Sequence, residues 1–443
     1  MLTCASNLYW PSHFKILSTI VISKPNKASY DLLKSFQPII LLNTMGKLIK
    51  KVIGERLQFQ VVNNNFIHYS QLRGLKFKFT FDASIMPTHF ICIGWIKNLM
   101  TSTLVFDIAQ FFPLLNHHLL SAILGEAGFD SKVVSFISNY LVNRKTSYFW
   151  NNFSSYLYDI NIGVDQGSAL SPILSALYLS PFLHILEKRL KTLDFKISIL
   201  SFVNDSLLIS QSKSFYTSNA YLFSSYNIAS QLPLKFGLLI EHSKTEVFHF
   251  SRSHNNFNSP PLDLSSIGRP SLVPKDTWRY LGFIFNRKLC FYQHIDFYAN
   301  KAISIVKYMK ILSNSTRELN PLQKQLLYIS CALPIALYGF QLWFYHKAPL
   351  SYPLKILGKL QRRAAIWILG AFKTSPSYSI KAITGLIPIH LHLQKLSGRS
   401  QLRAYSLPAN HILKLLIGNG SDVPNIPSHP HHHSLSLNSL TKH

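Results

Sequence analysis

Two aspartates in this sequence stand where a carboxylate is expected to do chemistry. The chain has 18 Asp and Glu residues, and most lie among polar residues, where solvated helix faces and helix caps account for them. Asp107, however, directly follows the apolar run 104–106, and Asp205 lies at the tip of the apolar segment 197–209. An unpaired carboxylate beside buried strands is costly, so it needs a partner of opposite charge. A salt bridge to one of the many cations or a hard metal ion such as Mg²⁺ would serve, and spacing alone leaves both open.

A glycine-containing loop between the two aspartates is suited to approach a ligand. It reads GVDQGS over residues 163–168 and directly precedes a predicted helix. Glycine lets a backbone come close to a ligand, and the N–H groups near a helix N-terminus attract anions. The loop by itself does not identify that ligand.

The elements that must position these residues mix strands and helices. The pattern predicts a short buried strand over 103–106 that ends in Asp107, and a hairpin over 197–209 with Asn204 and Asp205 at its turn. A strand, helices and then a hairpin form an order typical of an α+β domain. Apolar residues at helical spacing predict helices over residues 47–65, 117–127, 134–142, 172–192, 299–313 and 354–369.

One further segment, residues 68–82, alternates basic and aromatic residues. This composition predicts either an exposed strand or a loop that faces phosphates and bases.

The charge balance predicts a polyanionic partner. The 443 residues include 45 Lys and Arg, the formal net charge is +27, and 47% of residues are hydrophobic, which excludes wholesale disorder. Nucleic acid is the first expectation and an anionic membrane surface the second. The four cysteines are scattered, which argues against a zinc site or a disulfide framework. Residues 325–345 carry no charge and are long enough to span a bilayer, but Pro334 and Gly339 favour a buried helix broken near Pro334.

Several segments in order along the chain resemble the successive motifs of reverse transcriptases, in particular those of the non-LTR (LINE-type) retrotransposon group. The similarity extends over residues 15–405. It implies an α+β right-hand polymerase with fingers, palm and thumb, which extends a DNA 3′ end with dNTPs on an RNA template and uses two Mg²⁺ ions, or Mn²⁺. The segments that carry the resemblance are 36–58, 104–117, 163–172, 201–210, 236–246 and 278–285.

The resemblance also assigns roles to individual residues. Asp107 and Asp205 match the metal-binding and catalytic carboxylates, with Asn204 beside them, and Lys244 matches a lysine near the pyrophosphate. Phe112 matches the aromatic residue beneath the sugar that excludes a 2′-hydroxyl. Gln166, Gly167 and Ser168 match the loop that packs on the nascent base pair and template. The hairpin that grips the primer is matched by Trp278, Tyr280, Leu281 and Gly282. The residues that match the phosphate contacts of the fingers are Lys24, Lys27, Arg73, Lys76 and Lys78.

The same resemblance predicts the division of the chain. The expected parts are an N-terminal segment (1–14), fingers (15–100), palm (101–250), palm end with primer-grip hairpin (251–295), helical thumb (296–405) and a loosely ordered tail (406–443). Endonuclease and ribonuclease H modules are not recognisable, so we expect a fragment or decayed copy of such an element. RNA template, DNA primer and dNTPs are the implied partners, no membrane is expected, and the family implies the nucleus, with the cytoplasm as an alternative.

Three positions depart from the family pattern. Asn204 stands where the family usually has the first of two adjacent aspartates, and its amide removes one negative charge from a site for two dications. By analogy with the loss of one preorganised electrostatic contact, we expect a rate lower by about 10²–10³-fold, or roughly 3–4 kcal/mol. Asp165 follows Val164 where the family often has Pro or Gly, and it could supply charge nearby. Gln37 precedes Pro38 where an Arg is common, which loses one phosphate contact.

Because of Asn204, a second hypothesis stays open. The chain would then be a catalytically inactive reverse-transcriptase fold that binds RNA or RNA–DNA duplex through its basic surface.

Overall fold

The structure of the protein is a computed structural model that describes residues 9–25, 29–193, 196–253, 259–312, 319–345, 348, 350–408, 411 and 413–414. The described residues form two compact units. The first lies within residues 1–83, 102–247 and 260–274, and the second within 84–101, 248–259 and 275–443.

The strands and helices of the described residues follow in chain order. The strands are β1 (Ile16–Ser23), β2 (Phe36–Leu41), β3 (Met100–Ala109), β4 (Arg144–Trp150), β5 (Phe153–Ser154), β6 (Tyr158–Ile160), β7 (Ile197–Phe202), β8 (Asp205–Ser212), β9 (Leu239–Phe250), β10 (Thr277–Tyr280) and β11 (Phe283–Asn286). The helices are α1 (Thr44–Asn63), α2 (Thr80–Ile96), α3 (Phe111–Leu114), α4 (His117–Glu126), α5 (Ser131–Leu141), α6 (Ser171–Lys191), α7 (Phe215–Gln231), α8 (Tyr292–Met309), α9 (Pro321–Leu327), α10 (Leu333–Ala336), α11 (Phe340–Trp343), α12 (Ser351–Leu369), α13 (Ser377–Ile383) and α14 (Ile389–Ser406). A π-helical turn covers Tyr328–Ala332, and short 3₁₀ turns cover Ser12–Phe14, Leu33–Ser35, Pro233–Phe236, Ser265–Ile267 and Lys310–Leu312.

The first unit contains two sheets. The five-stranded sheet has the order β2-β1-β4-β5 with β6 also paired to β4, and the four-stranded sheet has the order β7-β8-β3-β9. In the five-stranded sheet β1 pairs antiparallel with β2 and parallel with β4. The runs of Ile, Val and Thr in β1 suit a pleated surface that is buried on one side.

The core of the first unit forms around α6. This helix is apolar nearly all round and buries Leu174, Leu177 and Phe182, so it packs as a central helix with elements on several sides. Leu104 and Phe106 of β3 belong to the same hydrophobic cluster. The predicted α+β architecture is confirmed.

The second unit is largely helical and holds the apolar segment 325–345. The segment is not one continuous helix: α9 ends at Leu327, the π-helical turn follows, α10 holds Pro334 in its first turn, and Gly339 adopts a left-handed φ of 71°. A Cβ at Gly339 would lie 2.8 Å from the ring of Phe283 and 2.9 Å from Nε2 of His294, so glycine is required there. The predicted break is confirmed. Among the described residues no helix is both long enough and apolar enough to cross a membrane.

Two predicted boundaries differ from the structure. The strand predicted to end at Asp107 continues to Ala109, so Asp107 lies inside β3. The hairpin turn consists of Val203 and Asn204, because Asp205 pairs with Phe202 as the first residue of β8. Val203 takes the left-handed φ of 64° that such a turn needs. A β-branched residue rarely adopts this conformation, so the sequence does not predict a turn at Val203.

Between residues 68 and 79 the chain forms a loop with a single bridge from Gln71 to Ser201, so the alternative of an exposed strand is wrong. The helices predicted over 47–65, 117–127, 134–142, 172–192 and 354–369 correspond to α1, α4, α5, α6 and α12 within about three residues at each end. The helix predicted over 299–313 corresponds to α8, which begins earlier, at Tyr292, and ends at Met309. Most of the predicted tail, 406–443, lies outside the described residues.

Candidate active site

The site forms around Asp107 on β3 of the four-stranded sheet. The Nδ2 group of Asn204 donates a hydrogen bond to Oδ1 of Asp107, and Nζ of Lys244 on β9 lies 2.5 Å from Oδ2. An ionised carboxylate only accepts hydrogen bonds, so the amide of Asn204 must present its NH₂ group to it. The Asp107 side chain is 13% exposed and that of Lys244 is 62% exposed. Both oxygens of Asp107 are therefore engaged, one of them by a cation that reaches into solvent.

The hairpin turn brings its two polar residues to Asp107. The backbone N–H of Ile108 donates to the carbonyl oxygen of Asn204 at 3.1 Å, which fixes the turn against β3 next to Asp107. Because Asn204 lies in the turn and Asp205 begins β8, the two side chains leave the hairpin from adjacent positions.

Asp205 is the second carboxylate of the site. Its burial, together with the negative charge of Asp107, raises its pKa to about 6, although Lys244 and Arg73 act in the opposite direction. Asp205 forms no ion pair within the described part of the chain. A carboxylate whose ionisation is opposed by burial and by a neighbouring negative charge is the arrangement that a bound cation would relieve.

The donor set at this position fits a hard divalent cation. Asp107 and Asp205 offer carboxylate oxygens, and Asn204 offers an amide oxygen if its side chain turns over. No cluster of three or more His, Cys, Asp or Glu side chains that could hold a metal occurs among the described residues. Mg²⁺ needs no such cage, since it is usually held by one or two carboxylates plus substrate phosphates.

The loop 163–168 packs directly against the turn that follows β3. Gly163 has φ +79°, and a Cβ there would lie 2.5 Å from the backbone oxygen of Pro113 and 2.9 Å from that of Phe112. The N–H of Val164 donates to the oxygen of Phe112 at 2.8 Å. Only glycine allows this approach, which brings the loop beside Phe112, a half-buried residue in α3.

Within this loop the three predicted residues differ in availability. Oε1 of Gln166 is buried without a hydrogen-bond partner in the described part of the chain, so it is an acceptor that the fold leaves unsatisfied. Gly167 is exposed, with φ +99°. Ser168 is buried, and its Oγ accepts the N–H of Leu170 at 3.3 Å, so its side chain serves the turn.

Asp165, which the sequence left open as a source of charge near the site, is neutralised elsewhere in the fold. It is fully buried and pairs with Arg144 (Nη1 to Oδ1, 2.6 Å) and Lys50 (Nζ to Oδ2, 3.0 Å), while the hydroxyl of Tyr140 donates to Oδ2 at 2.8 Å. Burial opposes ionisation, but the two cations outweigh it and lower the pKa of Asp165. Its charge is already balanced inside the fold.

The sequence did not lead to a prediction for Lys50 or Arg144, although the position of Lys50 on its helix indicates a buried charge. Lys50 lies on the buried face of α1, which it shares with Gly46, Gly54, Leu57 and Val61. A lysine on an apolar helix face implies a buried anionic partner.

The predicted phosphate-binding cations occupy different environments. Arg73 lies over the ring of Phe202 at 5.3 Å and acts electrostatically on Asp205, so the structure brings it to the site. Lys76 is exposed. Lys78 donates to the backbone oxygen of Gln71 at 2.7 Å, and burial lowers its pKa to about 8 despite Asp82. Lys24 follows β1, and Lys27 lies outside the described residues.

The predicted primer-grip residues lie in the second unit. Trp278 and Tyr280 are buried there, and the ring of Trp278 stacks on Phe285 at 4.9 Å between centroids. Leu281 and Gly282 form the β10–β11 turn with positive φ values of 49° and 85°. Their carbonyl oxygens accept hydrogen bonds from the hydroxyls of Tyr338 (2.8 Å) and Tyr298 (2.7 Å), respectively. Only the turn is accessible, so a role in holding a primer stays a prediction that concerns its backbone.

Comparison with known proteins places these features in a family. The family model described as reverse transcriptase (RNA-dependent DNA polymerase) matches residues 22–285, more than half of the chain. The chain is 21% identical over 348 residues to the probable RNA-directed DNA polymerase from transposon BS of Drosophila melanogaster, and 24% identical over 339 residues to that from the mobile element jockey of the same species. Each alignment covers 76% of this chain and 36% of the relative, so the chain spans about a third of these relatives' length.

Solved structures give weaker similarity. A telomerase from Candida albicans in complex with a fragment of telomeric RNA is 13% identical, with a TM-score of 0.42, over 95% of this chain and 63% of that chain. The apo telomerase from Candida tropicalis is 12% identical, with a TM-score of 0.43, over 91% and 68%. The family model and the transposon relatives confirm the prediction made from the ordered motifs: the chain belongs to the reverse transcriptase (RNA-dependent DNA polymerase) family and is of the non-LTR, LINE type.

Proposed function

We propose that the first unit catalyses RNA-templated DNA synthesis by nucleotidyl transfer onto a DNA 3′ end. The observation that carries this proposal is the pairing of Asp107 and Asp205, two carboxylates that β3 and the 197–212 hairpin bring together. The glycine loop of a reverse transcriptase motif packs against Phe112, in the turn that follows the strand of Asp107.

Asp107 and Asp205 are the residues that would hold divalent metal, Mg²⁺ or Mn²⁺. When bound, such ions activate the primer 3′ oxygen and stabilise the charge on the departing pyrophosphate. The ammonium group of Lys244 must move away from Oδ2 of Asp107 for a cation to bind there, whereas the neutral amide of Asn204 occupies only one lone pair of Oδ1. The long, exposed side chain of Lys244 is able to make that movement.

The other residues of the site have roles that follow from their chemistry. Lys244, once released, is a cation with protons to donate near a leaving phosphate. Arg73 and Lys76 would supply charge for the triphosphate, and the unsatisfied acceptor on Gln166 would reach the template–nucleotide pair after its side chain turns outward. The ring of Phe112 would lie under the sugar, where a 2′-hydroxyl would be excluded.

An RNA template, a DNA primer and dNTPs are the proposed partners. The formal net charge of +27 supports a polyanionic ligand, because basic groups that contact phosphates release counterions on binding. Affinity for a template–primer duplex should therefore fall steeply as salt rises.

A second candidate, an inactive fold that binds nucleic acid, has one specific observation in its favour. Asn204 replaces a charged ligand and donates to Asp107, so the unliganded site is stable without a cation. In that case the protein would bind duplex and extend nothing.

The experiment is primer extension on an RNA template with Mg²⁺ and with Mn²⁺, in which wild type is compared with Asp107→Ala. Asp159→Ala is a matched control, since the Asp159 side chain is 63% exposed and pairs with the exposed Lys145 on the surface. We expect extension by wild type and by the control, and none by Asp107→Ala. A folded wild type that binds duplex but extends no primer with either ion would refute the enzyme and favour the binding fold.

A further inference from the structure

A buried histidine fastens the start of the loop 68–79 to α6. His68 is 1% exposed; its backbone N–H donates to Oγ of Ser180 at 2.8 Å, and its Nε2 lies 3.0 Å from Oε2 of Glu187. Both partners lie on α6. The hydroxyl of Tyr69 donates to Oε1 of the same glutamate at 2.8 Å. One carboxylate therefore holds two successive residues at the start of the loop, and we call His68 and Glu187 the loop anchor.

The contacts of His68 fix which of its ring nitrogens carries the proton. The backbone N–H of Ser70 donates to Nδ1 at 3.3 Å, so the ring hydrogen lies on Nε2, which donates it to Glu187. Burial lowers the pKa of His68, an effect that His184 and Lys191 reinforce and Glu187 opposes. The neutral ring therefore joins the loop backbone on one side to α6 on the other.

Backbone hydrogen bonds connect this anchor to the hairpin of the candidate site. The N–H of Ser201 on β7 donates to the oxygen of Ser70 at 3.0 Å, and the N–H of Leu72 donates to the oxygen of Ser201 at 2.8 Å. Gln71, between them, forms a parallel bridge with Ser201. The loop is thus joined to β7 next to Phe202, the last residue of that strand.

Arg73 is the cation that this backbone presents at the site. It is exposed, and its guanidinium lies over the ring of Phe202 at 5.3 Å. Burial raises the pKa of Asp205, and the charge of Arg73 acts in the opposite direction. Gly74 follows with φ +87°, and a Cβ there would lie 2.6 Å from the backbone oxygen of Pro172 on α6. The position of Arg73 is therefore set from both sides, by the bridge to β7 before it and by the contact with α6 after it.

We propose that His68 and Glu187 are positioning residues, which hold the loop 68–79 on α6 and β7 so that Arg73 meets the triphosphate of an incoming dNTP. The identity of that ligand rests on the proposed function, whereas the coupling between His68 and Arg73 requires no catalysis. Without the anchor, Arg73 would keep its charge but would have to be ordered each time a ligand binds, which weakens binding.

The test is equilibrium binding of the correct dNTP to the protein on an RNA template with a dideoxy-terminated DNA primer, so that no nucleotide is added. Arg73→Ala should weaken dNTP binding about 10–100-fold, as expected for loss of a charge-assisted contact. His68→Leu should weaken it about three- to tenfold, the effect of a side chain that must be ordered on binding. Tyr226→Phe is the matched control, because it removes a buried hydroxyl that bonds His242 and Thr245 in the same unit, and it should leave dNTP binding unchanged.

A double-mutant cycle separates positioning from a general loss of stability. If the histidine acts through Arg73, His68→Leu should change dNTP binding little in the Arg73→Ala protein, although it shifts thermal unfolding equally in both backgrounds. Glu187→Gln should keep most of the affinity, because its amide oxygen still accepts the hydrogen on Nε2. Glu187→Leu should lose as much affinity as His68→Leu.

The outcomes separate the anchor from the proposed activity. Equal losses from His68→Leu in the wild-type and Arg73→Ala backgrounds would overturn the proposal, as would unchanged dNTP binding by folded His68→Leu. A wild-type complex that binds no dNTP would overturn it together with the proposed function. A protein that binds dNTP with the expected coupling but extends no primer supports the anchor and refutes only the proposed activity.

Discussion

Asp107 and Asp165 both lie in reverse transcriptase motifs of the first unit, and both are poorly exposed carboxylates paired with cations. They differ in the exposure of their partners. The side chains of Lys50 and Arg144, which neutralise Asp165, are each 2% exposed, whereas Lys244, which pairs with Asp107, is 62% exposed. The buried partners of Asp165 cannot move away to let a ligand bind, whereas Lys244 can move into solvent and leave Asp107 free to bind one. The exposure of the partner, more than that of the carboxylate, separates a structural aspartate from a reactive one.

The largest expected effect is on catalysis at Asp107. Asp107→Ala removes a carboxylate that acts as one unit with Asp205, so we expect the extension rate to fall by at least about 10⁴-fold, or about 5.5 kcal/mol. Thermal unfolding should change little, because Lys244 is then free to enter solvent. Single-nucleotide incorporation and a thermal melt of the same preparation measure the two quantities.

For Asp165 we expect the main effect of substitution to be on stability and not on the extension rate. Asp165→Ala leaves Lys50 and Arg144 buried without a counter-charge, which should cost about 3–5 kcal/mol of unfolding free energy. Urea unfolding of wild type and variant gives this difference. Lys50→Met is the companion variant: it keeps the Arg144–Asp165 pair and should cost clearly less, so equal losses in both would contradict the account of the cluster.

A third prediction concerns the partner on the hairpin turn. Asn204→Asp replaces the amide that donates to Asp107 with a further carboxylate, which should raise the extension rate about 10²–10³-fold, or roughly 3–4 kcal/mol. The same change should destabilise the metal-free protein, because a third negative charge joins Asp107 and Asp205. A rate that stays at the wild-type level under saturating Mg²⁺ would show that Asn204 is not what limits the site.

The smallest expected effect on stability concerns Glu187, a carboxylate that has both a buried and an exposed partner. Glu187 on α6 accepts hydrogen bonds from the buried His68 (3.0 Å) and from Tyr69 (2.8 Å), and pairs with the exposed Lys191. Burial opposes ionisation, but the hydrogen bonds from Tyr69, His68 and Lys191 outweigh it and lower the pKa of Glu187 from 4.5 to about 2. A lowered pKa in the folded state stabilises the protein above the unfolded-state value of 4.5, and this stability is lost as the pH falls from there towards 2.

The corresponding variant is Glu187→Gln. It should lower the unfolding free energy at neutral pH by about 1–2 kcal/mol, a value reduced by the partial exposure of the site. Urea unfolding at several pH values should show this difference shrinking below pH 4.5. A difference that is independent of pH would mean that the charge of Glu187 does not contribute.

The parts of the site that the sequence predicted depend on local patterns. An apolar run before Asp107 and a hairpin around Asp205 are visible over a few residues, and the order of the motifs identified the family. The position of the turn was one residue off because Val203, a β-branched residue, adopts a left-handed conformation that local propensity disfavours.

Contacts between residues that are far apart in the chain could not be predicted from the sequence. Lys50 is 115 residues from Asp165, and the rings of Phe36 on β2 and Trp150 on β4 lie 5.4 Å apart although these strands are distant in sequence. Such pairs depend on strand order and register, which no local pattern of residue types specifies.

The central claim is that Asp107 and Asp205 form a divalent metal site that Asn204 and Lys244 cover when no ion is bound. Titration of the protein alone with Mn²⁺, followed by the loss of the free-ion EPR signal, tests this without phosphate ligands or catalysis. The account predicts tightest binding by Asn204→Asp, weaker binding by wild type, and loss of this site in Asp107→Ala. Equal Mn²⁺ binding by wild type and Asp107→Ala would contradict it.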